Sequence, residues 1–156
     1  MRVLAVDIGT VRTGFAVSDP LGLTAQPLPT AEGGSAKVNA KKILAIVEQY
    51  ASEKEEARRV GTVVLGNPVM LNGKKGEKSQ VSEECARLLE EYLKQRLSYP
   101  VKVILRDERL TSVAAERFML QGDASRDLRK AKKDQVAAQL ILENYLESLR
   151  YERQDH

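Results

Sequence analysis

Three carboxylates carry the chemistry this sequence suggests: Asp7, Glu108 and Asp134. Asp7 closes the apolar run Val3-Leu4-Ala5-Val6, whose lack of a polar face predicts a strand covered on both sides, central in an α/β sheet. An ionised carboxylate in that setting is costly unless it is hydrogen-bonded, paired or bound to a cation. Glu108 follows the apolar run Val101 to Leu105, and Asp134 falls in the first turn of the closing helix. Were the three to meet, they would repel one another and raise at least one pKa; magnesium or manganese, which prefer oxygen ligands, would hold all three ionised. Two such ions about 3.5 to 4 Å apart activate a water and stabilise a departing oxygen in phosphodiester cleavage, with no need of histidine. Each acid also has a plain structural use. Asp7 can bond the amides of the glycine-bracketed turn from Gly9 to Gly14. Asp134 can cap a helix or complement its positive end, for about 0.5 to 2 kcal/mol. Strand alternation points Asp107 and Glu108 to opposite sides, so that one of the two can readily face Asp7.

Other chemistries are poorly supplied. The single histidine is His156 and the single cysteine Cys85, which argues against histidine base catalysis, a zinc site and an internal disulfide. The chain has 156 residues, 42% hydrophobic and 30% charged, enough for one folded domain over 1–150 with a fraying tail at 151–156. No apolar run approaches the roughly 18 residues of a membrane span, and no charged-then-apolar leader opens the sequence, so a cytoplasmic protein with no membrane partner is expected. A net charge of +3 is mildly favourable for polyanions, and with aromatics at 4%, phosphate contact rather than base stacking should dominate any nucleic-acid binding.

The elements that must position the acids follow in order. A hairpin comprises Val3–Val6 and roughly Thr13–Ser18, and Leu23–Leu28 adds an edge strand, because Pro27 and Pro29 cannot donate to a central ladder. A loop at Ala31–Ala36 precedes a helix from about Val38, with Ile43, Leu44, Val47 and Tyr50 on one stripe. The strand Thr62–Leu65 ends in Gly66-Asn67-Pro68, and the loop Val69–Ser79 gathers Lys74, Lys75 and Lys78, suited to phosphate or simply solvated. A helix over Gln80–Leu97 puts Cys85 on its buried stripe, Val101–Leu105 is a strand, and a helix capped by Thr111 or Ser112 reaches Leu120. Gly122–Lys133 reads as a basic connection, and the last helix begins near Asp134. The order β-β-β-α-β-α-β-α makes one mixed five-stranded sheet with helices on both faces. Asp7, Gly66 and Glu108 all fall at carboxyl ends of strands, where sites in open α/β sheets lie.

The residues Asp7-Ile8-Gly9 with Arg12, Gly14, Ala16 and Ser18-Asp19, then Gly66-Asn67-Pro68, then Asp107-Glu108-Arg109-Leu110-Thr111-Ser112, then Asp134 with Ala137-Ala138, together resemble the YqgF/RuvX family, in order and over nearly the whole chain. The resemblance implies a ribonuclease H-like fold related to the RuvC Holliday-junction resolvases. It also implies a metal-dependent nuclease acting in 5′-end maturation of precursor 16S ribosomal RNA, on ribosomal particles or structured RNA; some members are discussed as resolvases of branched DNA. Carried over by position, Asp7, Glu108 and Asp134 are the catalytic, metal-binding carboxylates for two magnesium or manganese ions. Arg12, Arg109 and Lys132 are phosphate contacts, joined by Gly66, Asn67, Lys74 and Lys75 on the neighbouring loops. Ala137 stands where RuvC relatives offer a further acid, one turn beyond Asp134. Two other classes compete: an ATP-binding fragment of the actin-like and sugar-kinase type, since DIGT in a hairpin resembles their phosphate motif, and a non-catalytic RNA-binding module using Lys74–Lys78 and Arg126–Lys133.

Overall fold

A computed structural model describes residues 1–67, 76–107 and 126–154, with the side chains of 78, 126–135 and 154 outside the description. Its elements are β1 (Arg2–Asp7), β2 (Arg12–Ser18), β3 (Ala25–Glu32), α1 (Ala36–Ala51), a single 3-10 turn at Glu56–Arg58, β4 (Val60–Asn67), α2 (Glu77–Arg96), β5 (Lys102–Asp107) and α3 (Arg126–Gln154). The expected helix at 111–120 and the loop carrying Lys74 and Lys75 lie outside the described residues.

The five strands form one sheet in the order β3-β2-β1-β4-β5. β1 is central: it runs antiparallel to β2, with Asp7 opposite Gly14, and parallel to β4, with Val6 beside Leu65. This is the mixed sheet that the order of elements predicts. Alternation along β1 supplies two cores. Leu4, Val6 and Ile8 join Phe15, Val17, Val63 and Leu65 against α1 and α2, while Val3 and Ala5 join Ala16 and Val64 against Ala138, Ile141, Leu142, Tyr145 and Leu146 of α3. A continuously apolar strand is what burial on both sides demands.

β4 runs Val60–Asn67 rather than Thr62–Leu65, and α1 and α2 start two and three residues earlier than expected, at Ala36 and Glu77; two departures are larger. α3 starts at Arg126, eight residues before Asp134, so the supposed basic connection is helical from there on. Arg, Lys and Ala are good helix formers, no Gly or Pro interrupts 126–154, and charge alone does not stop a helix. β3 begins at Ala25 and continues to Glu32, into the stretch read as loop, because β2 reaches back to Arg12, and the Arg12–Glu32 and Thr13–Ala31 pairs extend its partner.

Candidate active site

Asp7 is the last residue of β1 and only 9% exposed. Because Val3 and Ala5 face α3, the same parity sends Asp7 to the α3 face. Its cross-strand neighbour on β2 is Gly14, and Gly66 is the next residue after Leu65 on β4, so glycines flank the acid within the sheet. Arg12 starts β2. Ala16 packs toward α3 and Thr13 bonds Asn39 of α1, so alternation brings Arg12 to the α3 face, diagonal to Asp7 and within reach of a long side chain. One acid and one base thus share the rim of the sheet.

The alternation of β5 indicates which side Asp107 takes. Ile104 packs in the α3-side core, and Arg106 two residues on follows it, its Nη1 3.4 Å from Ser148 Oγ and its guanidinium 5.7 Å from the centre of the Tyr145 ring. Asp107, between the parity of Arg106 and the end of the strand, therefore points to the α2 side, away from Asp7. Asn67 lies opposite Asp107 and shares that side: Ser79, buried in the first turn of α2, donates its hydroxyl to Asn67 Oδ1 at 2.7 Å. Of the proposed contacts, the structure brings Arg12 and Gly66 to the face of Asp7 and places the Asn67 side chain on the other. Glu108, Arg109, Lys74 and Lys75 lie outside the described residues, as do the side chains of Asp134 and Lys132, whose backbone is part of α3. Among the described residues, no three His, Cys, Asp or Glu side chains converge as a metal cluster.

Asp19, part of the motif carried by β2, serves its own turn. Its Oδ1 accepts the amides of Leu23 at 2.7 Å and Thr24 at 2.8 Å, and these bonds, Thr24 first, hold its pKa below the ordinary carboxylate value. Cys85 is fully buried in the α1–α2 core, and burial pushes its thiol up to about 12. Sequence reasoning missed Thr13, Asn39 and Ser79, which tie the rim together. The signal for Asn39 was available: it is a polar residue four and eight positions before Ile43 and Val47, on the buried stripe of α1.

Residues 1–148 match the family described as RuvX: Holliday junction resolvase. The chain belongs to the RuvX family. A protein of Clostridium botulinum (strain Eklund 17B / Type B), named as a candidate pre-16S rRNA nuclease, is 38% identical over 149 residues, covering 96% of this chain and 98% of the relative. One of the same name from Bacillus pumilus (strain SAFR-032) is 38% identical over 153 residues, covering 96% and 99%. Among solved structures, RuvC of T. thermophilus in complex with Holliday junction substrate superposes with a TM-score of 0.56 at 14% identity, covering 95% of this chain and 96% of RuvC. The fowlpox virus Holliday junction resolvase gives 0.54 at 19% identity, covering 95% and 99%. At such identities the likeness concerns the fold, and the RuvX chain has the ribonuclease H-like fold that its motifs suggest.

Proposed function

We propose that this RuvX chain is a metal-dependent nuclease that hydrolyses phosphodiester bonds in structured RNA, with the 5′ end of precursor 16S ribosomal RNA as its substrate. The observation that carries this reading is the buried Asp7 at the carboxyl end of the central strand, with Arg12 on the same face, in a chain that two pre-16S nuclease relatives match almost end to end. Asp7, Glu108 and Asp134 are assigned as the metal-binding carboxylates. Position 134 lies four and seven residues before Ala138 and Ile141, the α3 residues that pack on the sheet face Asp7 shares. Glu108 is preferred to Asp107 because Asp107 takes the α2 side.

The donors fit a hard cation. The three residues assigned as ligands are all carboxylates, the lone thiol is sealed in the opposite core, and oxygen-only sets select magnesium or manganese over zinc. When bound, a pair of such ions supplies a polarised water for attack on phosphorus and neutralises charge on the departing oxygen. The chain's own residues do the rest. Asp7 is held at the end of a strand buried on both faces, so its carboxylate has little freedom to lose when it takes up its role. Arg12, diagonal to it, is assigned to a phosphate oxygen beside the reacting group, and Arg109, Lys132, Lys74 and Lys75 to flanking phosphates. Hydrolysis breaks the P–O bond, and the released oxygen takes a proton from solvent.

The test is cleavage of a precursor 16S leader transcript and of a four-way DNA junction by the purified chain, in magnesium, manganese or chelator. Asp7→Asn should remain folded, bind nucleic acid nearly as before and lose several orders of magnitude in rate; unchanged cleavage removes Asp7 from the chemistry. A second reading, junction resolution, is favoured by the RuvC and fowlpox folds, and faster cleavage of the junction than of the transcript would establish it. A folded chain that binds RNA in chelator and cleaves neither substrate would instead be a binding module in the cytoplasm, acting on ribosomal particles without hydrolysis.

A further inference from the structure

The turn that follows Asp7 is fastened from the face opposite the carboxylate. Thr13, on β2, is fully buried, and its Oγ1 donates to Asn39 Oδ1 at 2.6 Å while accepting the amide of Gly9 at 3.2 Å. Asn39 of α1, also fully buried, has three carbonyls sharing the two protons of its Nδ2: Gly34 at 3.0 Å, Ser35 at 3.2 Å and Gly9 at 3.3 Å. Three acceptors around one nitrogen fix the amide's orientation, which leaves Oδ1 for the threonine proton. Backbone contacts complete the arrangement. Gly33 N donates to Val11 O at 2.8 Å and Gly34 N to Gly9 O at 3.3 Å, and a Cβ on Gly33 would lie 2.0 Å from Gly9 O. Gly9, two residues beyond Asp7, is therefore bonded through both its amide and its carbonyl.

Apolar side chains at positions 13 and 39 would fill the space but leave the Gly9 amide and the carbonyls of Gly34 and Ser35 without these partners. What the polar pair adds is a fixed location for Gly9 relative to α1. We propose that Thr13 and Asn39 are positioning residues: through Gly9 they set where Asp7 and Arg12 stand at the rim, and they govern cation affinity and turnover without touching substrate. This rests on the assignment of Asp7 as a metal ligand. Groups that orient a ligand in this indirect way typically change metal affinity or rate by roughly 10- to 100-fold.

The experiment measures manganese affinity by calorimetry, steady-state cleavage of the precursor transcript or junction, and hydrogen exchange at the Gly9 amide, in Thr13→Val, Thr13→Ser, Asn39→Ala and Asp7→Asn. Thr13→Val is expected to stay folded, expose Gly9 to exchange, weaken manganese binding and lower kcat by roughly 10- to 100-fold at unchanged KM. Thr13→Ser keeps the hydroxyl and should restore all three. Asp7→Asn should abolish cleavage while leaving Gly9 protected. A folded Thr13→Val or Asn39→Ala with the manganese affinity and kcat of the unaltered chain overturns the positioning role, even if Asp7→Asn is inactive. Should Asn39→Ala not fold, the Val and Ser variants at 13 decide by themselves. An active Asp7→Asn overturns the metal-ligand assignment instead, whatever Thr13→Val does.

Discussion

Ser79 Oγ meets Asn67 Oδ1 at 2.7 Å on the side of the sheet that Asp7 does not face, so the end of β4 is tied to the start of α2 rather than turned toward the acid. Removing Asn67 leaves the buried Ser79 hydroxyl without this acceptor, and removing Ser79 leaves the half-buried Asn67 amide without this donor. Asn67→Ala and Ser79→Ala should each cost about 1 to 3 kcal/mol, and the double variant should cost less than their sum. Urea denaturation of the four proteins measures the coupling; strict additivity would show that the bond contributes nothing.

Cation binding at the Asp7 rim should be visible without any substrate. Manganese at a hundredfold excess over its Kd should stabilise the unaltered chain by about 2.7 kcal/mol, and Asp7→Asn should lose most of that gain. Thermal melting with and without the ion measures it. Equal shifts in both proteins would place the ion elsewhere.

Gly33 and Gly34 are adjacent, yet they should respond differently to alanine. A Cβ on Gly33 would sit 2.0 Å from the Gly9 carbonyl oxygen, backbone against backbone, whereas on Gly34 it would first meet the Val38 side chain at 3.1 Å. Gly33→Ala should therefore destabilise by more than about 3 kcal/mol and Gly34→Ala by much less, as denaturation midpoints would record.

The thiol of Cys85 is buried on α2 and its pKa is pushed from 9.0 up to about 12 by loss of solvation. Below pH 9 the thiol is protonated whether the chain is folded or not, so it does not bias stability. From pH 9 towards 12 the unfolded chain releases a proton that the folded chain keeps, so stability should fall as pH rises through that window. Cys85→Ala should flatten the alkaline limb. At neutral pH the thiol should react with a thiol reagent only as fast as the chain unfolds.

If Arg12 contacts phosphate, Arg12→Ala should weaken RNA and DNA binding alike and reduce the slope of log affinity against log salt by about one. Filter binding across a salt series tests this. An unchanged slope would confine Arg12 to neutralising the carboxylates.

The fold was legible where burial writes itself into residue type. Val3 to Val6 had to be a doubly covered strand, Pro27 and Pro29 had to lie at an edge, and Cys85 had to face inward, because each pattern has one inexpensive solution. Asp7 stood out for the same reason, as a charge at the end of an apolar strand. The start of α3 was not legible: the run Arg126–Lys133 has strong helix formers and heavy charge, and charge was read as a solvated connection. The side taken by Asp107 needed the register of β5, since alternation fixes relative directions but not which face a strand offers to α3. The Thr13–Asn39 pair was hidden for a related reason: Asn39 stands out on the buried stripe of α1, but its meeting with Thr13 depends on α1 crossing above the turn.

The prolines of β3 have a consequence beyond the fold of one molecule. Pro27 and Pro29 stand on the outermost strand, where the register with β2 also shifts, and neither has an amide to donate. A strand from another chain pairing with β3 would meet two positions that cannot donate, which weakens any ladder it could form. That margin is thereby guarded against edge-to-edge association.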